Sequence, residues 1–467
     1  MVAPLAVAAL TAIAAIAGPG GTPPEAGRIL EEALRGGATP ILADLTDRIG
    51  PRLAGSAGAD AAVEWAVDWC RRHGLRARRE PVQVTRWTRG EESASIVAGE
   101  GVQPRAIGVT ALGRSGPTPE GGIVAEVIEA DSLDALAALG SRVAGRIVLL
   151  QHDMRVADDY GRFSALRTRG PAAAARLGAA AVLVRSLTTA RHALPHTGTT
   201  MFPPGERPIP AAAIPVEDAE LLHRLLARGP VRVRLVLGGR TADPPLAPSA
   251  NVICELRGGE LPGEVVVIGA HLDSWDLGTG AVDDGAGVAM VLESLRIAAS
   301  MPRPPRRTLR AVLFMNEENG AEGAVGYFAS SQEAGVRHVA AMEADSGGGR
   351  PTGVKVSAGP GGIEAVRAMA APLAPLGADG VGPGGGGVDV SPLEWAGVPL
   401  LSLSQDTSRY FDWHHSAADT FDKVDPRALA EATAALAWMA WALADAPEPL
   451  PPLPVPRRDP WWKQPAR

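Results

Sequence analysis

Apolar and polar positions alternate most regularly in the second half of the chain. Short β-branched runs are followed there by longer segments with apolar residues at helical spacing. The predicted elements are strand 264–270, helix 286–300, strand 307–315, helix 320–332 and strand 337–343. Repeated strand–helix units favour an α/β fold, with a mostly parallel or mixed sheet sandwiched by helices.

The first half has a different pattern. Residues 26–74 have apolar residues at helical spacing, whereas residues 121–239 contain short strands with Ala-rich helices between them. We therefore expect an inserted small α/β domain at 116–244, between peptide segments 25–115 and 245–446 of one larger domain. The segment 243–249 is predicted to be a linker. The final helix is predicted at 428–446, and a Pro-rich, loosely ordered tail at 447–467.

The N-terminus is apolar and Ala-rich over residues 2–18, and a Gly/Pro-rich stretch follows it. This pattern is typical of a secretory signal, so residues 1–24 are predicted to be a signal peptide and linker of an exported protein. The absence of Lys or Arg before the apolar run argues for a cytoplasmic protein instead. No other segment is long and apolar enough for a membrane span.

Composition limits the chemistry. The chain has 467 residues and a net charge of −7 without a long basic run, so no nucleic acid is expected as a partner. Cys70 and Cys254 are the only cysteines, and we interpret them as unpaired, buried small side chains. A metal site in this chain must therefore use His, Asp and Glu.

Ionisable side chains follow each of the predicted parallel strands. His271, Asp273 and Asp283 come after the first strand, Glu317 and Glu318 after the second, and Glu343 and Asp345 after the third. A further pair, His414 and His415, lies far along the chain. Because ligands collect outside the carboxyl ends of parallel strands, we expect these groups to converge.

Imidazoles and carboxylates in this number suit two divalent ions, most simply two Zn²⁺ ions that share a bridging carboxylate. One residue of the Glu317–Glu318 pair would bind metal while the other acts as general base. Asp273 is placed to hold the ring of His271 in the correct tautomer. The residues alone leave three choices open: Asp283 or Asp284 as the bridge, Glu317 or Glu318 as the base, and His414 or His415 as the ligand.

Five motifs together resemble the M28 metallopeptidases, especially the carboxypeptidase Q branch and related bacterial aminopeptidases. They are HLDSWD (271–276), AVDDGAG (281–287), NEENGAEGA (316–324), MEADSG (342–347) and HHSAADT (414–420). IGPRLAGSAG (49–58) resembles the N-terminal loop of that branch, and residues 121–239 resemble its inserted protease-associated domain. The resemblance implies that His271 and Asp345 bind one zinc ion, Glu318 and His415 bind the other, Asp283 bridges them, and Glu317 is the base.

The resemblance also implies an activity. Such enzymes are exopeptidases that cleave the amide after a free N-terminal residue in dipeptides or short peptides, and the branch suggests a homodimer. Asp406 and Tyr410, in the loop before His415, are candidate substrate contacts. His196 of the inserted domain is expected to be a solvated loop residue. The alternatives are a single-zinc glutaminyl cyclase and a non-catalytic receptor-type ectodomain on the same fold.

Overall fold

The computed structural model of the protein describes residues 23–463 and contains two eight-stranded sheets. The main sheet carries the predicted metal ligands. Its strands, in spatial order, are β1 (Arg76–Thr88), β10 (Arg240–Leu256), β12 (Arg307–Phe314), β11 (Leu261–His271), β13 (Arg337–Glu343), β16 (Leu400–Gln405), β14 (Pro351–Ser357) and β15 (Val381–Pro383). β12, β11, β13 and β16 run parallel, whereas β10 is antiparallel to both β1 and β12. β14 is antiparallel to β16 and parallel to β15. The mixed α/β fold expected from the sequence is confirmed.

Helices cover both faces of the main sheet. They are, in chain numbering, α1 (Pro24–Ala33), α2 (Ala38–Arg48), α3 (Ala57–Arg72), α8 (Ala286–Ala299), α9 (Glu322–Glu333), α10 (Gly362–Ala370), α11 (Tyr410–Trp413) and α12 (Pro426–Asp445). Val266 and Ile268 of β11 pack in the cluster that contains α8 and α12, and Val265 and Val267 pack on the opposite face with α9. A strand buried on both faces must be apolar at every position, which explains the uninterrupted β-branched run.

The second sheet belongs to the inserted domain, which we call the insert. Its strands, in spatial order, are β3 (Arg105–Ile107), β2 (Glu92–Gly99), β9 (Val231–Leu237), β5 (Ile123–Ala130), β6 (Ile147–Leu150), β7 (Ala181–Arg185), β8 (Ala211–Ile214) and β4 (Thr110–Ala111). Its helices are α4 (Leu133–Leu139), α5 (Tyr160–Thr168), α6 (Gly170–Arg176) and α7 (Val216–Leu226). The strands β5 to β8 pair in parallel, as the alternating pattern suggested.

Both boundaries of the insert differ from the expected 116 and 244. The insert sheet begins with β2 at Glu92, because β2 pairs with β9 rather than with the main sheet. The predicted linker 243–249 lies inside β10, where Ser249 pairs with Val82 and Ala247 with Val84 of β1. A short strand does not reveal in its own sequence which sheet it will join, since its partner lies more than a hundred residues away.

The two cysteines form a disulfide, so our interpretation of them as unpaired residues was wrong. Cys70 lies in α3 and Cys254 in β10, with their Cα atoms 6.3 Å apart. Both are fully buried, as expected, but α3 packs directly on the strand that carries Cys254. The bridge therefore ties the N-terminal helices to the main sheet.

The two terminal segments of the chain were both expected to lie outside the folded domains. The apolar segment 2–18, interpreted as part of a signal peptide, lies outside the described residues. The Pro-rich segment after α12 is less loose than predicted, because Pro451 O accepts from Gly359 N (2.9 Å) and Leu453 N donates to Gly397 O (2.9 Å). Within residues 23–463, no helix is both long and apolar enough to cross a bilayer.

Candidate metal centre

The predicted ligands lie at one edge of the main sheet. His271 is the last residue of β11, Glu317 and Glu318 follow β12, and Asp345 follows β13. These strands are parallel and adjacent, so their carboxyl ends meet at the same edge. The positions that carry the chemistry therefore converge because of the strand order.

His271 is held rigidly by the core. Its ring is buried, and Nδ1 donates to the main-chain oxygen of Asp273 (3.0 Å), which leaves Nε2 free to face the site. Its main-chain N–H donates to Oδ2 of Asp284 (3.2 Å), whose Oδ1 accepts from Gly287 N (3.0 Å). Asp284 therefore fixes the backbone at the end of β11 and the start of α8.

Asp273 supports the site in a different way from the one predicted. Its carboxylate lies 3.9 Å from Nδ1 of His271, so the main chain and not the carboxylate orients the ring. Oδ1 instead accepts from the N–H groups of Asn316 (2.7 Å) and Glu317 (3.1 Å). Asn316 has a positive φ of 72°, a conformation that asparagine tolerates better than most residues. Asp273 thus holds the turn that presents Glu317.

The loop that carries Asp283 is fixed by a residue to which the sequence analysis gave no role. The buried carboxylate of Asp419 accepts from Val282 N (2.6 Å) and Asp283 N (3.1 Å). Burial raises the pKa of Asp419 to about 7, and the charge of Asp283 adds to this increase. Asp419 belongs to the HHSAADT motif, so its position beside the predicted ligand histidine was the only signal in the sequence.

Arg52 closes the base of the same loop. This side chain is completely buried, and it donates to the carbonyl oxygens of Leu272 (2.8 Å), Thr279 (2.6 Å) and Gly280 (2.9 Å). A buried guanidinium in this place also sets a positive charge near the acids of the site. The segment 49–58, which the sequence analysis noted for its resemblance to the N-terminal loop of the branch, therefore supports the candidate metal centre.

His415 lies on the loop after α11 and has a positive φ of 60°. Its Nε2 is 2.9 Å from Oε2 of Glu318 and 3.3 Å from Oδ2 of Asp283. The ring of His414 stacks on it, with 3.5 Å between centroids, and Nε2 of His414 is 3.6 Å from the same oxygen of Asp283. His415 therefore faces two carboxylates, whereas His414 faces one.

Asp283 lies between the two histidine groups. Its Oδ1 is 3.1 Å from Nε2 of His271, which is itself 3.8 Å from Oδ1 of Asp345. The potential ligand atoms of His271, Asp283 and Asp345 all lie within 4.8 Å of one another. Buried oxygens of Asp283 (Oδ2) and Glu318 (Oε1) have no hydrogen-bond partner in the described part of the chain. The donor set and these unpartnered oxygens fit divalent cations on both sides of Asp283.

Burial changes the protonation equilibria at the site. It raises the pKa of Glu317 to about 8, and the carboxylates of Asp345 and Asp283 increase it further against the opposing charge of His271. Burial also lowers the pKa of His415 far below its usual value, with His414 and Arg167 adding to the effect. His415 is therefore held as a neutral imidazole, the form that binds metals.

Two further acids lie buried beside the ligands. Glu343 at the end of β13 accepts from Val390 N through Oε2 (2.8 Å), and both oxygens of Asp389 lack a hydrogen-bond partner among residues 23–463. Burial raises the pKa of Glu343 to about 8, and the charge of Asp345 contributes. The sequence placed Glu343 at a strand end but gave no role to Asp389.

A cavity of about 460 Å³ opens beside the cluster. Val282 and Ser346, the neighbours of Asp283 and Asp345 in sequence, are among its lining residues. Asp406 and Tyr410, the candidate substrate contacts, line it as well, and Oδ1 of Asp406 accepts from Ser408 N (3.0 Å). The cavity is large enough for a small peptide and is lined by residues next in sequence to two predicted ligands.

His196 is placed differently from the prediction. We expected a solvated loop residue, but the side chain is 2% exposed, and its Nδ1 lies 2.6 Å from the main-chain oxygen of His414. The insert packs its loop against the segment that carries His415, and this contact buries His196. The sequence could not reveal this, since the two segments are more than two hundred residues apart.

Comparisons with known proteins agree with this architecture. Residues 251–440 match the model of peptidase family M28. Human carboxypeptidase Q is 36% identical over 414 residues, which cover 88% of this chain and 86% of the human protein. The crystal structure of a peptidase M28 precursor from Shewanella amazonensis has a TM-score of 0.88 and 38% identity, and the match covers 92% of this chain and 98% of that chain.

A more distant structure shares the fold. BSAP, a zinc aminopeptidase from Bacillus subtilis, has a TM-score of 0.64 at 22% identity, with 88% of this chain and 95% of that chain covered. Identity to human carboxypeptidase Q at this level, over most of both chains, is sufficient to assign the family. The family expected from the motifs is therefore confirmed: the chain belongs to peptidase family M28 and is an enzyme of the metallo-exopeptidase class.

Proposed function

We propose that the protein is a di-zinc exopeptidase that cleaves the amide after the free N-terminal residue of dipeptides or short peptides. The observation that carries this proposal is the position of Asp283. Its Oδ1 faces His271 (3.1 Å) and its Oδ2 faces His415 (3.3 Å), so one carboxylate can serve a cation on each side. A single-zinc cyclase would not require this arrangement.

The residues favour zinc as the ion. His271 and Asp345 would hold one ion, His415 and Glu318 the other, and Asp283 would bridge them. Imidazole nitrogen and carboxylate oxygen are common zinc ligands, and Cys is not available because both thiols are in the disulfide. BSAP, which shares the fold, is by its name a zinc aminopeptidase. Zinc bound here would polarise the scissile carbonyl and lower the pKa of an attacking water molecule.

Glu317 is the general base in this proposal. It is not needed as a ligand, and the turn held by Asp273 directs it to the same edge of the sheet. Burial raises its pKa, so it binds a proton more firmly than an exposed carboxylate and can carry that proton to the leaving amine. A receptor-type protein would have no need for this residue.

The cavity beside the site provides room for a substrate of this size. Tyr410 packs against Gly347 and presents its ring to the cavity, and Asp406 lies at its exposed part. We propose both as substrate contacts, with Tyr410 nearer to the ligands. An amine-binding role would suit a carboxylate such as Asp406, which remains ionised because hydrogen bonds from Ser408 lower its pKa.

Replacement of the base tests the mechanism. We expect Glu317→Gln to retain two zinc ions per chain and to lose about three orders of magnitude in kcat on dipeptides and aminoacyl amides, because the amide cannot accept the proton. Exposed Glu333→Gln on α9 is the matched control and should behave like the wild type. Metal content is counted by elemental analysis in parallel with turnover.

The outcomes separate the alternatives. Wild-type turnover by Glu317→Gln would refute the assigned base. One zinc ion per wild-type chain, with cyclisation of N-terminal glutamine, would indicate a glutaminyl cyclase. A wild-type chain that binds no metal and hydrolyses none of the substrates would indicate a binding ectodomain.

We also propose that the protein is exported. The Cys70–Cys254 disulfide supports this, since such bridges form and persist in oxidising compartments. Detection of the oxidised protein in the extracellular or periplasmic fraction tests the proposal, and a cytoplasmic, reduced protein would contradict it. The homodimer suggested by the resemblance remains a prediction for sedimentation measurements.

A further inference from the structure

The insert holds the loop that carries His415 through a continuous set of polar contacts, which we call the seam. The seam comprises Arg167, Thr188, Thr189, His192, His196 and Thr197 of the insert and the segment 411–415. We propose that the seam, with Arg167 at its centre, is a positioning device for one half of the metal centre. This inference rests on the proposed function and assigns the insert a part in metal binding.

The seam first fixes the backbone of the loop. Thr188 Oγ1 donates to Phe411 O (2.7 Å), and Thr189 Oγ1 donates to the carboxylate of Asp412 (2.8 Å). His192 Nε2 lies 2.7 Å from Asp412 O. The loop therefore receives hydrogen bonds from the insert along its length, ahead of the predicted ligand.

The insert also holds the backbone at the strained residue His415. His415 has φ of 60°, a left-handed conformation that is strained for a residue with a side chain. His196 Nδ1 donates to His414 O (2.6 Å), and Thr197 N donates to His415 O (2.8 Å). Both carbonyl groups around the strained residue are thus held by the insert, which offsets the strain.

The seam also reaches the imidazole itself. A histidine that offers Nε2 to a cation carries its proton on Nδ1, and the main-chain oxygen of Thr197 lies 3.2 Å from Nδ1 of His415 as the acceptor. Nε2 then points at Glu318 and Asp283. The insert therefore contacts the ring nitrogen opposite the one that faces the carboxylates.

Arg167 lies beside both the carbonyl oxygen of Thr197 and the ring of His415. Its side chain is buried, and Nη1 lies 3.4 Å from Thr197 O and 3.2 Å from Nδ1 of His415, while Nη2 donates to the hydroxyl of Tyr160 (2.7 Å). Tyr160 stacks on Phe411 with 4.6 Å between ring centroids. Arg167 thus links α5 of the insert to both ends of the loop.

His271 provides an internal reference for this role. Its Nδ1 is held by the main-chain oxygen of Asp273 within the main domain, and no hydrogen bond or ion pair joins its ring to the described residues of the insert. Loosening of the seam should therefore weaken the zinc ion bound by His415 and Glu318 and leave the one bound by His271 and Asp345 unchanged.

The test uses the full-length protein and zinc affinity, not activity alone. Metal-free protein is titrated with Zn²⁺ against a chromophoric chelator. For Arg167→Met, which keeps the length of the side chain but removes its donors, we expect one site with wild-type affinity and one weakened by 10- to 100-fold. Exposed Arg169→Met, just after the same helix, is the matched control and should bind both ions as the wild type does.

Two further variants keep the proposal testable if Arg167→Met folds poorly. The double variant Thr188→Val/Thr189→Val removes only hydroxyl groups and should weaken the same site by a smaller factor. Arg167→Lys should recover part of the affinity. Two wild-type affinities in folded Arg167→Met and in the threonine variant would overturn the inference. A wild-type protein that binds fewer than two zinc ions would instead overturn the proposed function.

Discussion

The two histidines of the candidate metal centre are held in place by different parts of the molecule. His271 is the last residue of a central strand, and the main domain supplies its acceptor through Asp273 O (3.0 Å). His415 lies on a loop with a left-handed backbone, and the insert supplies its acceptor through Thr197 O (3.2 Å). Two rings that face the same carboxylate therefore depend on different packing interactions.

This difference has a physical basis. The end of a strand inside a parallel sheet is fixed by main-chain hydrogen bonds and by packing on both faces, so its side chain needs little else to be oriented. A loop lacks this ladder and must gain its rigidity from the surface it packs against. We infer that damage to the main domain affects the whole centre, whereas damage to the seam affects one half of it.

Removal of the disulfide is the largest perturbation we expect on the side of the main domain. Because the bridge closes a long loop, Cys70→Ser/Cys254→Ser should lower the free energy of unfolding by about 3–5 kcal/mol, measured by denaturant titration. The folded variant should retain both zinc affinities, since the bridge joins α3 to β10 and includes no residue of the seam. The reduced wild-type protein is the control. An unchanged unfolding midpoint, or selective loss of one zinc site, would contradict the comparison.

Neutralisation of Asp273 should affect catalysis more than metal binding. Asp273→Asn weakens the hold on the N–H groups of Asn316 and Glu317, so the base is less well directed. We expect kcat/KM to fall by about 10- to 100-fold with two zinc ions still bound. Exposed Asp422→Asn is the control and should have wild-type kinetics. Loss of the ion held by His271 in Asp273→Asn would instead mean that the carboxylate of Asp273, and not its main-chain oxygen, orients the ring of His271.

Acid should weaken the seam in a way that depends on His196. Burial lowers the pKa of His196 to about 3 from 6.5. The unfolded chain therefore binds a proton that the folded chain does not, so this residue lowers stability as pH falls from 6.5 towards 3, by about 1.4 kcal/mol per pH unit. His196→Asn, which can still donate to His414 O, should remove about 2 kcal/mol of the loss between pH 6.5 and 5.

Unfolding measured at both pH values, with exposed His223→Asn as the control, checks this expectation. An identical pH dependence in the wild type and in His196→Asn would mean that His196 becomes protonated within the folded seam. That result would also show that the contact with His414 O does not require a neutral ring.

The sequence predicted the strand-end residues of the candidate metal centre better than it predicted His415. His271, Glu317, Glu318 and Asp345 follow strands whose apolar runs are visible in the sequence, so their convergence follows from the parallel order. His415 had no such signal, because a loop residue far along the chain can lie anywhere. The family motif, and not periodicity, separated it from His414.

The supporting residues were harder to predict. Arg52, Arg167 and Asp419 act through carbonyl and N–H groups of distant segments, and such contacts leave no periodic pattern in the sequence. The disulfide was missed for the same reason, because two isolated cysteines carry no information about whether α3 packs on β10. The roles of these residues can be predicted only when it is known which segments are neighbours in space.

The sequence by itself determined the α/β alternation, the edge at which the acids collect and the family to which the chain belongs. These properties depend on local runs and motifs, in which each residue is close in sequence to those that define its place. Only the tertiary structure decided the extent of the insert, the pairing of Cys70 with Cys254 and the burial of His196 against the segment of His415. Each of these depends on a contact between segments more than a hundred residues apart, and such contacts are fixed by the packing of the whole chain.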